Sequence, residues 1–174
     1  MTIPASARPR PHTRSLGSDD YTRDTASRQN VRKSPPMSNI EFRTCTSNDI
    51  DEVLALWAAS SQGGSTNTAE AIQTFLDFDA ELFILARDGD RLIGTVIAAW
   101  DGWRANFNRL AVDPDYRRHG LGRELVARAE KLLKQRGATR VNAAVLTDSE
   151  QAVDFWRSLG YTPNTSVEPY SKSL

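Results

Sequence analysis

Arg117, Gly120 and Gly122 stand at a spacing that suits the capture of a phosphate. They lie in the run Leu110-Ala111-Val112-Asp113-Pro114-Asp115-Tyr116-Arg117-Arg118-His119-Gly120-Leu121-Gly122-Arg123. A short apolar stretch stops at Asp113-Pro114, a basic loop follows, and a long amphipathic pattern begins behind it. The first turn of a helix has N–H groups without intrahelical partners and a partial positive charge, so it holds an anion well. Glycines at 120 and 122 let an anion reach the backbone with no Cβ in the way. Arg117, Arg118 and Arg123 add charge around it.

Three phosphate ligands compete for this loop. A Walker loop ends in Gly-Lys-Ser/Thr, but Arg123 and Glu124 follow Gly122 here. A dinucleotide fingerprint needs a third glycine and an acid about 20 residues further on, but Leu125, Val141 and Asn142 occupy those places. The third pattern fits. Arg-x-x-Gly-x-Gly at Arg117, Gly120 and Gly122, after Leu-Ala-Val-Asp-Pro, resembles the pyrophosphate loop of the GNAT N-acetyltransferase superfamily. A second likeness, to small bacterial members, lies in the turn Asp101-Gly102-Trp103-Arg104. The resemblance covers residues 40 to about 165.

The resemblance implies acetyl-CoA as cofactor. Leu110, Ala111, Val112, Arg117, Arg118, His119, Gly120, Leu121, Gly122, Arg123, Ser149 and Trp156 would then contact it. The backbone of Leu110 and Val112 would bind the pantetheine arm in the V between two splayed parallel strands. One of those N–H groups, assigned to Leu110, would stabilise the oxyanion while an amine attacks directly. The family pattern usually places Asn and Tyr where this chain has Ser149 and Trp156. An indole N–H donates a hydrogen bond but does not act as a proton-donating acid at neutral pH. The usual general acid is therefore missing at Trp156, which either packs on the acetyl arm or serves as a plain core aromatic. A thiol with a reference pKa near ~8.5 can leave largely as thiolate, so activity survives that loss. Asn106 and Asn108 stand where many members place a carboxylate base, and neither takes a proton. Asp101 is the nearest acid in sequence, and Asp-Gly is more often a turn. The acceptor should be a small-molecule amine or a protein amino group. It should lie over the loop between the first two helices, with Trp57, Trp100, Trp103, Asn106 and Asn108 as candidate neighbours. Each Trp has the alternative of a core or rim position.

These residues need a scaffold. Ile40-Glu41-Phe42-Arg43 alternates as an opening strand. Ser47 is expected to cap a helix carrying Ile50, Val53, Leu54 and Trp57, and Thr68 a second with Ile72, Phe75 and Leu76. Residues 60–65 read as a loop. Leu82–Arg87 and Leu92–Trp100 are β-rich runs joined by Asp88-Gly89-Asp90, a hairpin signal. Asn106–Val112 forms the next strand. A helix from His119 to Gln135 ends at Gly137, a strand spans Val141–Leu146, and Asp148 caps a helix to Leu159 with Gly160 behind it. Tyr161 begins a last strand. The order β-α-α-β-β-β-α-β-α-β is α/β or α+β. The resemblance makes it a GNAT fold, with a mixed, mostly antiparallel sheet of six to seven strands flanked by helices.

Composition sets the outer limits. No apolar run reaches the ~20 residues of a membrane span, so no membrane role is expected; a cytoplasmic location is expected as well. The single cysteine, Cys45, excludes an internal disulfide and a Cys-based metal cluster. His12 and His119 have no ligand-like neighbours, so no metal site is expected. The formal net charge of +0 argues against nucleic acid as partner. Residues 1–36 nevertheless hold seven Lys/Arg against three Asp/Glu and five of the eight prolines, while 37–174 hold fifteen against nineteen. The first segment lacks the apolar residues to offset its ordering entropy. It is read either as a disordered basic extension or as a misassigned start ahead of Met37, with a single acetyltransferase domain over 37–174. It has no h-region of a secretory signal, and Asp19, Asp20 and Asp24 count against a transit peptide. The resemblance leaves room for a homodimer. Two other functions stay open: an acetyl-CoA-binding regulatory module weakened in catalysis, and a phosphate-binding interaction domain with a basic tail.

Overall fold

Alternating apolar residues build a sheet whose central strand is covered on both faces. The computed structural model describes residues 39–60, 68–166, 170 and 172. The basic segment 1–36 and residues 61–65 of the expected loop lie outside the described residues. The elements are β1 (Ile40–Thr44), α1 (Ile50–Ala59), α2 (Ala69–Asp79), β2 (Phe83–Asp88), β3 (Arg91–Trp100), β4 (Ala105–Val112), α3 (Leu121–Gln135), β5 (Val141–Ala143) and α4 (Glu150–Ser158). The strands form one sheet in the order β1-β2-β3-β4-β5. The first three pairings are antiparallel and β4–β5 is parallel. This is the expected fold, with five strands among the described residues instead of six or seven.

β3 is buried from Leu92 to Ala98, the pattern of a strand covered on both faces. On one face α3 contributes Leu121, Leu125, Val126, Ala129 and Leu133 to a cluster with Ile93, Val96 and Phe107. On the other, α1 and α2 bring Val53, Leu56, Trp57 and Ile72 against Phe83, Leu85, Ile97 and Ala111. Gly94 lets α3 approach closely: a Cβ there would stand 3.0 Å from Leu125 Cδ1.

Several boundaries differ from expectation, each for a local reason. Thr46, not Ser47, opens the first helical segment, because its N–H donates to Asp49 Oδ2 at 2.9 Å in a reciprocal capping box. Ser149, not Asp148, caps α4, with Ser149 Oγ accepting from the Ala152 N–H at 3.3 Å. α3 starts at Leu121, because Gly120 in front of it is left-handed at φ 85°. The expected last strand is absent among the described residues. Tyr161 turns inward onto Trp156 and Phe107, and Pro163 behind it has no N–H for a ladder. β5 spans three residues instead of reaching Leu146.

The shortness of β5 comes from β4. Ile97 pairs with Arg109 and Ala98 with Phe107, so Asn108 is an extra residue in β4. Such a bulge bends its strand. The parallel pairing with β5 covers Ala105, Asn106 and Phe107 and ends there.

Candidate functional site

Beyond Phe107 the two parallel strands part, and the wedge between them opens into a cleft of about 800 Å³. Residues 108–112 of β4 form one wall. They have no strand partner on the β5 side, so backbone N–H and C=O groups on that edge face the cleft. Ala144, Val145 and Leu146 form the facing wall, and Ala152, Phe155 and Trp156 of α4 close one side.

The loop expected to hold phosphate stands at the end of β4. Asp113 caps the 3₁₀ turn Pro114–Tyr116 by accepting from the Asp115 N–H at 2.9 Å. The chain then takes two left-handed residues, Arg118 at φ 65° and Gly120 at φ 85°. Such a conformation is costly for a side-chain-bearing residue such as Arg118, and it turns the loop into the first turn of α3. Glu124 is the first to donate back, to Gly120 O at 3.1 Å. The preceding helical N–H groups therefore have no partner within α3.

The arginines divide their work. Arg117 reaches into the protein: its Nε donates to Val112 O at 3.1 Å and its Nη2 to Ser60 O at 3.2 Å. It pins the loop to β4 and to the end of α1. Arg123 donates to Ser158 Oγ at 3.3 Å and so links α3 to α4. Arg118 is exposed and lines the cleft without a protein partner among the described residues.

The two glycines differ as well. A Cβ on Gly120 would meet nothing within 4 Å. A Cβ on Gly122 would stand 3.2 Å from Phe155 Cε2, so Gly122 has a packing reason in the approach of α4. Leu110, Ala111, Val112, Arg117, Arg118, Gly120, Gly122, Arg123, Ser149 and Trp156 line the cleft together. His119 is exposed outside the lining. The Leu121 side chain is core, 1% exposed.

The expected acceptor residues separate. Trp57 does not line the cleft: it is 3% exposed, its indole N–H donates to Thr95 Oγ1 at 3.0 Å, and its ring stacks on Phe83. Trp103 is 79% exposed at the β3–β4 tip, beneath the Arg104 guanidinium, and is outside the lining. Trp100 packs against the α3-side core. Asn106 is beside Asn142, whose Nδ2 lies 3.5 Å from Asn106 Oδ1. Asn108 alone of these lines the cleft.

The bulge brings in a residue that alternation in the sequence hides. Without it, Phe107 and Arg109 would share a face. With it, Phe107, Leu110 and Val112 face α3, while Ala111 packs with the α1 side. Arg109 goes the same way, and its guanidinium lies 4.5 Å over the Trp57 ring while lining the cleft. Burial lowers its pKa from the ordinary arginine value. The adjacent polar pair Asn108-Arg109, inside an otherwise alternating strand, was the available signal.

Acid–base groups are scarce. Asp101 accepts from the Trp103 and Arg104 N–H groups at 2.8 and 2.6 Å. The Arg104 bond, then the Trp103 bond, lowers its pKa, and it sits in the hairpin turn outside the lining. Tyr116 lines the cleft, but its hydroxyl donates to Asp88 Oδ2 at 2.7 Å. The Tyr161 hydroxyl donates to Glu130 Oε1 at 2.6 Å, and burial first, then Glu130, pushes its pKa up. Trp156 packs on Tyr161, Phe107 and Phe155 with ring centroids 4.8, 5.4 and 5.4 Å away. No group of three or more His, Cys, Asp or Glu that could hold a metal ion occurs among the described residues. No described helix is long and apolar enough to cross a membrane.

Known proteins resemble this chain in sequence and in fold. The model of the Acetyltransferase (GNAT) family matches residues 50–161. An acetyltransferase of Sodalis glossinidius is 31% identical over 136 residues, covering 78% of this chain and 96% of its own. An acetyltransferase of Yersinia pseudotuberculosis is 31% identical over 129 residues, covering 74% and 92%. Among solved structures, Ard1 from Thermoplasma volcanium superposes with a TM-score of 0.67 at 21% identity, over 73% of this chain and 85% of that one. The PaiA N-acetyltransferase of Thermoplasma acidophilum, in complex with coenzyme A, gives 0.62 at 18% identity, over 69% and 87%.

Proposed function

The chain belongs to the GNAT acetyltransferase family, and from that premise we propose that it moves an acetyl group from acetyl-CoA to a primary amine by direct attack. The observation that carries this reading is the open edge of β4 from Asn108 to Val112, which stands above the left-handed turn into α3. The edge suits an amide-bearing arm, and the turn suits a pyrophosphate. Bound acetyl-CoA supplies an activated acetyl thioester. The Leu110 N–H is assigned to the thioester oxygen, where it stabilises developing negative charge. The amine nitrogen forms a bond to the carbonyl carbon, the carbon–sulfur bond breaks, and the sulfur leaves with its electron pair as thiolate. The amine proton passes to water, since the Tyr116 hydroxyl in the lining is engaged by Asp88. Arg118 and the α3 N-terminus would hold the phosphates, and Trp156 would pack on the arm.

A specific observation favours a second reading. Both nearby phenols are engaged elsewhere, which suits a module that binds acetyl-CoA and turns it over weakly or not at all. A thermal-shift titration followed by thiol release over an amine panel separates the two. Linkage gives about 2.7 kcal/mol at a hundredfold excess over the dissociation constant, and inorganic phosphate should give much less. A shift with amine-dependent thiol release supports the transferase. A shift without release supports the module. No shift at millimolar acetyl-CoA refutes both.

A further inference from the structure

We propose that Arg91, which does not line the cleft, is a positioning residue for acetyl-CoA: from the β2–β3 hairpin, and together with Asp88, it holds the loop ahead of α3 in the shape that receives the pyrophosphate. This rests on the acetyl-CoA reading above and deepens it.

The loop needs an anchor. Arg118 carries a side chain at φ 65°, and Gly120 follows at φ 85°. A strained non-glycine residue keeps its conformation only where its surroundings over-determine it. On the far side α3 fixes the chain. On the near side the chain enters through the short 3₁₀ turn Pro114–Tyr116. That turn has little backbone bonding of its own: the Tyr116 N–H donates to Asp113 O at 2.9 Å, and the Arg117 N–H reaches Pro114 O only at 3.5 Å.

Side chains of one hairpin supply the anchor. Arg91 Nη2 donates to Asp113 Oδ2 at 2.7 Å and to Asp115 Oδ2 at 3.3 Å. Its guanidinium lies 5.3 Å over the Tyr116 ring. Asp88 Oδ2 accepts from the Tyr116 hydroxyl at 2.7 Å. Asp113, Asp115 and Tyr116 are thus all gripped, and Arg117 is the next residue in the chain. The other oxygen of Asp113 caps the turn through the Asp115 N–H, so Arg91 fixes the cap itself. A planar guanidinium suits this task, since it can meet two carboxylates in its plane and a ring on its face. The hairpin is braced in turn: Arg87 donates to Asp90 O and, at 2.7 Å, to Glu52 Oε2 of α1.

The grip matters more to binding than to folding. The Arg91 side chain is 53% exposed, and exposed ion pairs add little to global stability. Its effect falls on the fraction of molecules whose loop is ready for a ligand. A ligand that needs the loop binds more weakly in proportion as that fraction falls. A ligand that uses only the open edge of β4 is indifferent to it.

The test measures dissociation constants for acetyl-CoA and for S-acetylpantetheine, the same thioester arm without the pyrophosphate. Calorimetry reads the first and competition the second, in the natural full chain, in Arg91→Met and in Asp88→Ala. In both variants acetyl-CoA should bind at least roughly five-fold more weakly, S-acetylpantetheine should stay within about twofold, and the apo melting temperature should move by no more than about 2 °C. Asp88→Ala carries the comparison if Arg91→Met fails to fold. Acetyl-CoA bound as tightly as by the natural protein, or both ligands weakened alike, overturns the proposal and leaves the acetyl-CoA reading intact. Failure of the natural protein to bind acetyl-CoA overturns both.

Discussion

Arg117 and Arg118 are neighbours in a loop expected to hold phosphate, yet their side chains do different jobs, and truncating each should separate them. Arg117→Met removes two charge-assisted hydrogen bonds, to Val112 O and Ser60 O. Bonds to charged groups contribute about 1.5–3 kcal/mol each. Arg117 is only half-buried, so water replaces part of each bond, and about 2 kcal/mol in total is a fair sum. For a domain of this size that lowers the melting temperature by roughly 6–10 °C. Arg118→Met touches no protein partner among the described residues. The left-handed backbone strains Met as it strains Arg, so that cost cancels, and the apo melting temperature should stay within about 1 °C. Its loss appears in acetyl-CoA affinity, where one exposed charge on phosphate contributes about 1 kcal/mol, or about five-fold. The Arg118 effect should fade in high salt. The Arg117 effect should persist, because its acceptors are backbone carbonyls. Melting of the apo variants and calorimetric titration at two ionic strengths read both quantities. If Arg117→Met melts like the natural protein and loses affinity as Arg118→Met does, the clamp reading is wrong.

Three further outcomes follow from particular contacts. Gly120→Ala meets open space but places a Cβ at φ 85°, a strain of roughly 1–2 kcal/mol, so the melting temperature should drop by several degrees; an unchanged value would mean that the turn relaxes. Asp49 is held well below the usual carboxylate range, first by Arg43 and then by Thr46, against a desolvation that pushes the other way. Its contribution is therefore complete above the unfolded pKa near ~4 and is lost as pH falls below it. At pH 7 Asp49→Asn should lose about 2–3 kcal/mol, and the gap to the natural protein should shrink steadily below pH 4 in denaturant titrations; a gap independent of pH would sink the assignment. Trp156→Tyr removes part of an aromatic cluster with Phe107, Phe155 and Tyr161, so the Michaelis constant for acetyl-CoA should rise several-fold while turnover changes little. A ten-fold rise in turnover at unaltered affinity would show instead that protonation of the leaving group limits the reaction.

What the sequence made legible was whatever is decided locally. The loop into α3, the stop at Gly137 and the Gly89 hairpin each rest on turn chemistry within a few residues. The amphipathic stripe of Leu121, Leu125 and Ala129 likewise needed only its own period. The residues whose surroundings were not legible are those set by a distant partner. Trp57, a candidate acceptor neighbour with core or rim as its alternative, is drawn into the core by Thr95 and Phe83, far along the chain. Arg117, expected as a phosphate ligand, lines the cleft and also donates to Ser60 O. Gly122 looked like a clearance for ligand, and Phe155 gives it a packing reason as well. The length of β5 was overestimated because its apolar run continues to Leu146 while its partner strand bends away.

That bend is where fold and chemistry meet. A regular β4 would continue pairing with β5 past Phe107 and satisfy the backbone groups that now face the cleft. It would also keep Arg109 on the α3 face, beside Phe107. One inserted residue, Asn108, reverses both. It ends the parallel ladder, so unsatisfied N–H and C=O groups become available to an incoming arm at no cost in broken sheet bonds. It also shifts the alternation, so one strand turns apolar side chains toward α3 and Arg109 toward Trp57 of α1. This arrangement asks little of acid–base side chains, since positioning and fixed dipoles do most to lower the barrier. It suits a transferase cleft whose nearest phenols, Tyr116 and Tyr161, are committed to Asp88 and Glu130.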